Sequence, residues 1–338
     1  GEAARAPLGP LRKRLDSRRN TKPKKAAVQL QVCTPFNPDG FHFGKIKNEG
    51  ERLACLRLGG GAYQLLTNKF PLFPSHMLLV ATELVPQQLT LTHLHAVLAL
   101  IGATASFSAY FNSWRASASV NHFHCHVIQE QPPVTSLPLV PHPRPPAAAP
   151  DCLTPASYPG ECYVFPLDAT PPASGSPPEL ARVLFLLVQA MQAANQPHNL
   201  LVTPTHVYLW PKPIEAPARS LEIYPETVGG PELLGSFTVY TPHDFDRLTA
   251  TDAEELTAIN TAPLPAALLA PAPDPTGAPP ADAAAAARGG TPSPPPTETA
   301  PKARAAEESP SPRTLLRLLA PKAASGWSGR RRTAGSGL

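Results

Sequence analysis

VNHFHCHVIQ, residues 120–129, places a histidine at every second position. The three are His122, His124 and His126, and apolar residues stand between them. Side chains at i, i+2 and i+4 of a β-strand point to the same face. The pattern therefore predicts a strand over 120–129 with three imidazoles on one face and an apolar packing surface on the other.

Hydrophobic periodicity predicts the elements around this strand. A helix is expected over 91–104, with Thr90 as its N-cap, and a second helix over 178–194. Residues 36–46 are expected to be extended, and 243–260 to form a short acidic helix. Short strands are predicted over 63–67, 77–81, 108–112, 199–203, 206–210 and 237–240. This arrangement indicates an α+β fold, an antiparallel sheet with helices on one face.

The composition restricts the folded part of the 338-residue chain. Its 46 prolines crowd, together with alanine, into a few segments, above all after residue 262. Such segments bury too little apolar surface to order themselves, so 263–338 is expected to be a disordered Pro/Ala-rich tail. Residues 1–35 are expected to be a basic, disordered N-terminal segment, whose start suggests a truncated gene or a transit-peptide remnant.

Charge, cysteine content and hydropathy argue against a nucleic-acid-binding protein, a disulfide scaffold and a membrane-spanning protein. The net charge is +4, but the basic residues concentrate near the two ends, so nucleic acid is not the expected partner. The basic N-terminal segment leaves nuclear import open beside a cytoplasmic location. Five cysteines without a CxxC pair argue for reduced thiols rather than a disulfide scaffold. No apolar run reaches ~18 residues, so no membrane span is expected.

Three histidines beside a small polar loop suit chemistry at phosphorus. A neutral imidazole is a good nucleophile near neutral pH, and its attack builds negative charge on the phosphoryl oxygens. Polar groups that could face this charge precede the triad: Asn112, Ser113, Ser117, Ser119 and Asn121. A solvated strand face, a zinc site formed by the three histidines and a buried structural histidine remain alternatives.

The longer segment FNSWRASASVNHFHCH, residues 111–126, resembles the GDP-hexose phosphorylases of the histidine-triad superfamily. This family includes GDP-L-galactose phosphorylase and GDP-D-glucose phosphorylase. Other segments agree with it in order: FHFGKI (41–46), TNKFPLFPSHMLLV (67–80), LVPQQLT (84–90), HNLLVT (198–203) and VYLWPK (207–212). The resemblance covers residues 36–260 and implies a histidine-triad-like catalytic half over 36–150 and a second, degenerate half over 151–262.

The resemblance also implies a mechanism and a set of site residues. His124 would attack the α-phosphate of a GDP-hexose and release hexose 1-phosphate, and inorganic phosphate would then release GDP. His122 and His126 would flank the nucleophile. The family's substrate-binding positions fall on Asn112, Ser113, Ser119, Asn121, Lys45 and His76. No cofactor and no metal ion is expected, and the partners are the GDP-hexose and phosphate alone.

Departures from the family pattern leave alternatives open. Plant-type members carry Gln at the third triad position, where this chain has His126, so hydrolysis of the intermediate remains an alternative to phosphorolysis. Arg115 stands where the family has a small residue, and Lys69 is a further cation near the site. The 67–76 loop also resembles diadenosine tetraphosphate phosphorylases. A binding protein without turnover is a third alternative. With L-galactose as the hexose, the reaction would belong to ascorbate biosynthesis.

Overall fold

The computed structural model describes residues 4–17, 30–104, 106–167 and 178–269. In chain order the strands of these ranges are β1 (Arg5–Leu8), β2 (Leu11–Leu15), β3 (Arg52–Leu58), β4 (Gly61–Thr67), β5 (Met77–Ala81), β6 (Ser108–Asn112), β7 (His124–Ile128), β8 (Leu139–Pro141), β9 (Leu153–Pro155), β10 (Tyr163–Pro166), β11 (His198–Val202), β12 (His206–Pro211) and β13 (Ser236–Val239). The α-helices are α1 (Leu91–Gly102), α2 (Glu179–Ala193), α3 (Ala218–Ile223), α4 (Gly230–Leu233), α5 (Pro242–Arg247) and α6 (Ala250–Ile259). None of these helices has the length and apolar character needed to cross a membrane.

A ten-stranded antiparallel sheet runs through the whole fold. Its strand order is β3-β4-β5-β7-β6-β11-β12-β10-β9-β8. In each half, three strands, a helix and two further strands follow one another along the chain, and the last two strands exchange places in the sheet. The halves meet where β6 pairs with β11. The expected α+β fold is therefore confirmed, but the helices pack on both faces of the sheet and not on one as expected. Strand β8 gives the second half an edge strand that precedes residue 151.

Different elements pack on the two faces of the sheet. Helices α1 and α2 pack on one face, where they bury Phe123, Cys125 and Val127 from the triad segment. On β12, the corresponding strand of the second half, the opposite face carries Tyr208 and Trp210. These rings are buried under the segments that contain α3, α4, α6 and β13. In the second half, aromatic packing therefore fills the face on which β7 presents histidines.

Most predicted elements are found, with shifted ends. Helices α1 and α2 correspond to the predictions over 91–104 and 178–194, and Thr90 caps α1 by accepting a hydrogen bond from the His93 amide. The acidic helix expected over 243–260 is divided into α5 and α6, because Thr249 and Asp252 form a capping box that starts a new helix. The expected extended segment 36–46 contains a 3-10 turn at Phe43–Lys45.

The prediction of a disordered segment over 1–35 is wrong for residues 4–17. Strands β1 and β2 form a hairpin there, and β2 pairs in parallel with β13. Leu8 and Leu11 of this hairpin are buried, at 5% and 3% exposure. Apolar burial at these two positions outweighs the repulsion among the basic residues, which the ion pair of Arg12 with Glu130 (2.5 Å) also reduces. Residues 18–29 lie outside the described residues.

The start of the predicted tail is also too early. Leu264 is 2% exposed within the main core, and the Ala147 amide donates to the Leu268 carbonyl at 2.8 Å. Residues 263–269 therefore pack against the sheet as a continuation of the folded part. The remainder of the predicted tail, 270–338, lies outside the described residues.

Candidate active site

Strand β7 places two of the three triad histidines on the sheet face opposite α1. It lies between β5 and β6, with Val80 opposite His124 on one side and Tyr110 opposite His126 on the other. The strand begins at His124, four residues later than expected, so His122 lies in the preceding loop. The alternation predicted from sequence thus holds for His124 and His126, whereas His122 is held by other contacts.

The ring of His124 is fixed in one tautomer. It is 3% exposed, and its Nδ1–H donates to the carbonyl of His122 at 2.8 Å. In a neutral imidazole the other nitrogen then carries the lone pair. The lone pair of neutral His124 therefore lies on Nε2, and the His122 carbonyl can stabilise positive charge that develops on the ring.

The ring of His126 is fixed by His76. The Leu72 amide donates to His76 Nδ1 at 3.0 Å, so neutral His76 carries its proton on Nε2. This Nε2 lies 2.9 Å from His126 Nδ1 and 3.1 Å from Asn68 Nδ2. Its N–H donates to the closer atom, His126 Nδ1, which leaves the proton of neutral His126 on its own Nε2. His126 also stacks on the ring of Tyr110, with centroids 4.4 Å apart and planes 3° apart. It is thus arranged as a hydrogen-bond donor beside His124.

His122 has both ring nitrogens bonded within the protein. Its Nε2–H donates to the Glu83 carbonyl at 2.8 Å, and its Nδ1 accepts from the Phe43 amide at 3.3 Å. Burial lowers the pKa of His122, so the ring is neutral at pH 7. This histidine braces the loop before β7, and neither nitrogen is directed to a substrate.

The same bonds oppose the zinc alternative, because a three-histidine site would need His122 to give up one of its two partners. In the ranges that the structure describes, no group of three or more His, Cys, Asp or Glu side chains has metal-binding geometry.

Asn112 is the last residue of β6, and its side chain is hydrogen-bonded to the second half. Its Oδ1 accepts from Asn199 Nδ2 at 2.8 Å and from the Gly230 amide at 3.1 Å. Asn199 Nδ2 also donates to the carbonyl of Ala116 at 2.9 Å. With Oδ1 occupied in this way, the amide nitrogen of Asn112 is the part that remains for a ligand.

The other predicted polar residues differ in their surroundings. Ser113 is buried, with its Oγ donating to the Trp114 carbonyl at 3.0 Å and accepting from the His198 amide at 2.9 Å. Asn121 Oδ1 accepts from the Gln87 amide at 2.9 Å. Ser119 is exposed. Ser113 and Asn121 are therefore engaged in holding the loop, while the Ser119 hydroxyl faces solvent.

The predicted cations are engaged away from the triad. Lys45 Nζ donates to the carbonyls of Asp39 and Gly40 at 2.9 and 2.7 Å, which closes its own turn. Arg115 reaches across to the second half, where it donates to the carbonyls of Asn195 (3.2 Å) and Ile214. Lys69 is exposed, with Nζ 5.9 Å from the centroid of the neighbouring Phe70 ring.

Sequence reasoning missed three residues that surround the histidines. Gln87 is fully buried and bonds to the backbone of His124. The Phe43 ring lies 5.0 Å from that of His124, and Tyr110 stacks on His126. The signal for Tyr110 was its place two residues before Asn112, which puts both on the same face of β6. Pro86 before Gln87 marks a loop, and nothing in the sequence shows where its side chain points.

Comparison with known proteins agrees with this arrangement. Residues 12–128 match the family model described as GDPGP1-like, N-terminal domain. No curated protein matches the chain in sequence.

Among solved structures, the crystal structure of yeast Ap4A phosphorylase Apa2 in complex with Ap4A is similar, with a TM-score of 0.55 and 17% identity over 77% of this chain and 88% of that chain. Another crystal structure of yeast Ap4A phosphorylase Apa2 has a TM-score of 0.51 and 16% identity, over 78% of this chain and 90% of that one. At these identities the similarity shows a shared fold. The family-model match confirms the resemblance to the GDP-hexose phosphorylase family over residues 12–128, and the two solved structures share the fold of this chain.

Proposed function

We propose that this chain is a nucleotidyltransferase that splits a GDP-hexose with inorganic phosphate through a guanylyl-histidine at His124. The observation that carries the proposal is the fixed tautomer of His124, whose Nδ1–H···O bond to the His122 carbonyl measures 2.8 Å. It supplies an Nε2 lone pair without a proton transfer to a separate base. A nucleophile held in one geometry and one protonation state is what covalent catalysis requires.

In the first step, His124 Nε2 forms a bond to the α-phosphorus. The bond from that phosphorus to the bridging oxygen breaks, and its electron pair leaves with hexose 1-phosphate. His126 Nε2–H is arranged to donate to the leaving oxygen, since His76 occupies its Nδ1 at 2.9 Å. The positive charge on the guanylylated ring is balanced by the His122 carbonyl, which accepts from Nδ1–H.

In the second step, an oxygen of inorganic phosphate attacks the same phosphorus. A new P–O bond forms, the P–N bond breaks, and its electron pair returns to His124 Nε2. The products are GDP and the free enzyme. The amide nitrogen of Asn112 and the hydroxyl of Ser119 are the groups we assign to the phosphate oxygens, with the second half acting through Asn199 and Gly230 to hold Asn112 in place.

Two variations on this reaction share the same intermediate chemistry. The fold shared with yeast Ap4A phosphorylase favours a dinucleoside tetraphosphate as the second candidate substrate. Water could also replace phosphate in the second step, since His126 stands where plant-type transferases carry Gln. If the hexose is L-galactose, the reaction belongs to ascorbate biosynthesis, in the cytoplasm or the nucleus.

A substrate panel tests the proposal. Purified protein is incubated with GDP-L-galactose, GDP-D-glucose or Ap4A, with and without inorganic phosphate, and the products are separated by ion-exchange chromatography. Phosphate-dependent release of GDP from a GDP-hexose supports the proposal. If only Ap4A is split, into ADP and ATP, the second candidate replaces the proposal. Release of GMP in the absence of phosphate would make the chain a hydrolase. No product from any substrate would overturn the proposal.

A further inference from the structure

The hydrogen-bond ladder between β6 and β7 stops just before the nucleophile. Backbone pairing runs from Ser108 and Ile128 to Tyr110 and His126. In this register Asn112 and His124 come two positions beyond the last of these pairs. The pairing of β7 with β6 therefore ends before His124, whereas its pairing with β5 includes His124.

Beyond the last pair of β6 and β7, the side chain of Gln87 bonds to both strands. Its Oε1 accepts from the His124 amide at 2.8 Å, and its Nε2 donates to the carbonyls of His124 (3.0 Å) and Asn112 (2.9 Å). Gln87 is 0% exposed. A carboxamide has the same donor and acceptor pattern as a peptide group, so it replaces the missing strand pair and joins the two strands through three hydrogen bonds.

Gln87 is itself held in register with the triad segment. The Glu83 carbonyl accepts from the His122 ring, and the Val85 carbonyl accepts from the Phe123 amide at 3.1 Å. Gln87 then bonds to His124. Every second residue of segment 83–87 therefore bonds to successive residues of segment 122–124. The Gln87 amide also donates to Asn121 Oδ1 at 2.9 Å. Gln87 cannot shift without moving these contacts.

We propose that Gln87 is a positioning residue for the nucleotidyl-transfer step, one that sets His124 Nε2 relative to the phosphate site at Asn112. This inference rests on the proposed function. The two residues that it joins are the nucleophile and the end of the strand that leads into the polar loop 113–119. A displacement of ~1 Å in such a pair slows a reaction by about a hundredfold.

The carboxamide is the only natural side-chain group of this length that supplies both donors and the acceptor. Gln87→Glu keeps the acceptor for the His124 amide but places a carboxylate against two carbonyl oxygens. We expect kcat to fall about 30- to 100-fold with little change in KM for the nucleotide. Protonation of the buried carboxyl restores one donor, so the activity of Gln87→Glu relative to wild type should rise as the pH is lowered from 8 to 6.

Two further variants separate positioning from folding. Gln88→Glu introduces the same charge one residue later, at a half-buried position, and should behave as wild type. Gln87→Asn keeps a neutral amide but is one carbon shorter, so it should lower kcat even where Gln87→Glu fails to fold. Rates are normalised to the folded fraction from circular dichroism, with whichever of GDP-L-galactose, GDP-D-glucose and Ap4A the wild type turns over.

A measurement without substrate distinguishes failure of this inference from failure of the proposed function. Amide hydrogen exchange at His124 should be slow in wild type and at least tenfold faster in Gln87→Asn, with no change in Gln88→Glu. Faster exchange at His124 in Gln87→Asn, together with a lower kcat and an unchanged KM, supports the inference. Unchanged exchange, an unchanged kcat, or equal losses of folding and activity at a constant pH profile would overturn it. A wild type inactive on all three nucleotides would instead overturn the proposed function.

Discussion

The histidines of the site differ in what their ring nitrogens bond to, and this difference assigns their roles. His124 keeps Nε2 for chemistry, because its Nδ1–H is bonded to a backbone carbonyl. His126 has its proton directed to Nε2 by His76. His122 has both nitrogens occupied by Glu83 and Phe43. In the proposed reaction the three histidines of one sequence pattern are therefore assigned three roles: His124 the nucleophile, His126 the hydrogen-bond donor and His122 a support for the loop.

Removing His76 tests the assignment of the donor. In His76→Ala the Nδ1 atom of His126 loses its partner, so the ring is no longer held with its proton on Nε2. We expect kcat for nucleotidyl transfer to fall about 10- to 100-fold, at the lower end of what a general acid contributes. Stopped-flow or quenched single-turnover kinetics measures the change.

The control for this prediction is His243→Ala, because His243 lies on the surface with an 82% exposed side chain. It should leave kcat unchanged. A His76→Ala variant as fast as wild type would show that His126 does not depend on His76 for its protonation state.

The sequence predicted the types of residue at the site better than their roles. His76, His124 and His126 were all expected there, and the structure brings them together. Ser113 and Asn121 were expected on the phosphates and Lys45 near the nucleotide, yet each has its side chain bonded within the protein. Residue type and spacing do not show which hydrogen bonds the fold itself consumes, so these roles could not be assigned from sequence.

Among the structural elements, the N-terminal hairpin departs most from expectation. Its basic composition suggested a solvated segment, but two buried leucines, the pairing of β2 with β13 and the Arg12–Glu130 ion pair hold it on the fold. We expect Leu11→Ala to lower the free energy of unfolding by about 2–3 kcal/mol, since the substitution leaves a cavity in the core. Urea unfolding followed by circular dichroism gives this value.

Leu30→Ala serves as the matched control, because Leu30 is 71% exposed. Its free energy of unfolding should stay within ~0.5 kcal/mol of wild type. Equal stability of Leu11→Ala and wild type would mean that the hairpin does not dock in solution.

The long amphipathic helices and the buried strands could be predicted because their periodicity extends over several turns or residues. Strands β8 and β9 could not, because each is three residues long and lies among prolines. The triad strand was predicted too long for a different reason. The backbone before His124 bonds to the 83–87 loop, a tertiary contact that leaves no trace in local alternation.

At the scale of the whole molecule, buried neutral histidines couple stability to pH. Burial lowers the pKa values of His93 and His198 to about 4. The unfolded chain binds protons below about pH 6.5, whereas these folded residues do not. The free energy of unfolding therefore has its full value with respect to His93 and His198 above about pH 6.5, and it decreases progressively as the pH falls toward 4.

When the pH is lowered from 7.5 to 5.5, we expect the free energy of unfolding to fall by about 1 kcal/mol for each of these two histidines. His198→Phe should make the decline shallower, because one titrating group is removed. Urea unfolding at several pH values provides the test, and identical slopes for the variant and wild type would contradict this account of His198.

The end of the folded part is a second property of the whole molecule. We expect truncation after Leu269 to leave activity and stability unchanged. Truncation after Ala262 removes Leu264 from the core and should lower the free energy of unfolding by about 2 kcal/mol or more. Thermal unfolding and turnover of the two truncated chains decide this, and a loss of activity in the longer one would assign a role in the reaction to 270–338.

Detection of the covalent intermediate is the most direct test of nucleotidyl transfer through His124. Wild type is mixed with GDP-hexose labelled at the α-phosphate, quenched in alkali without added phosphate, and mapped by mass spectrometry. We expect an acid-labile guanylyl adduct on His124, which disappears on addition of phosphate with release of GDP and is absent in His124→Ala. A wild type that turns over without an adduct, or an adduct on another residue, would contradict it.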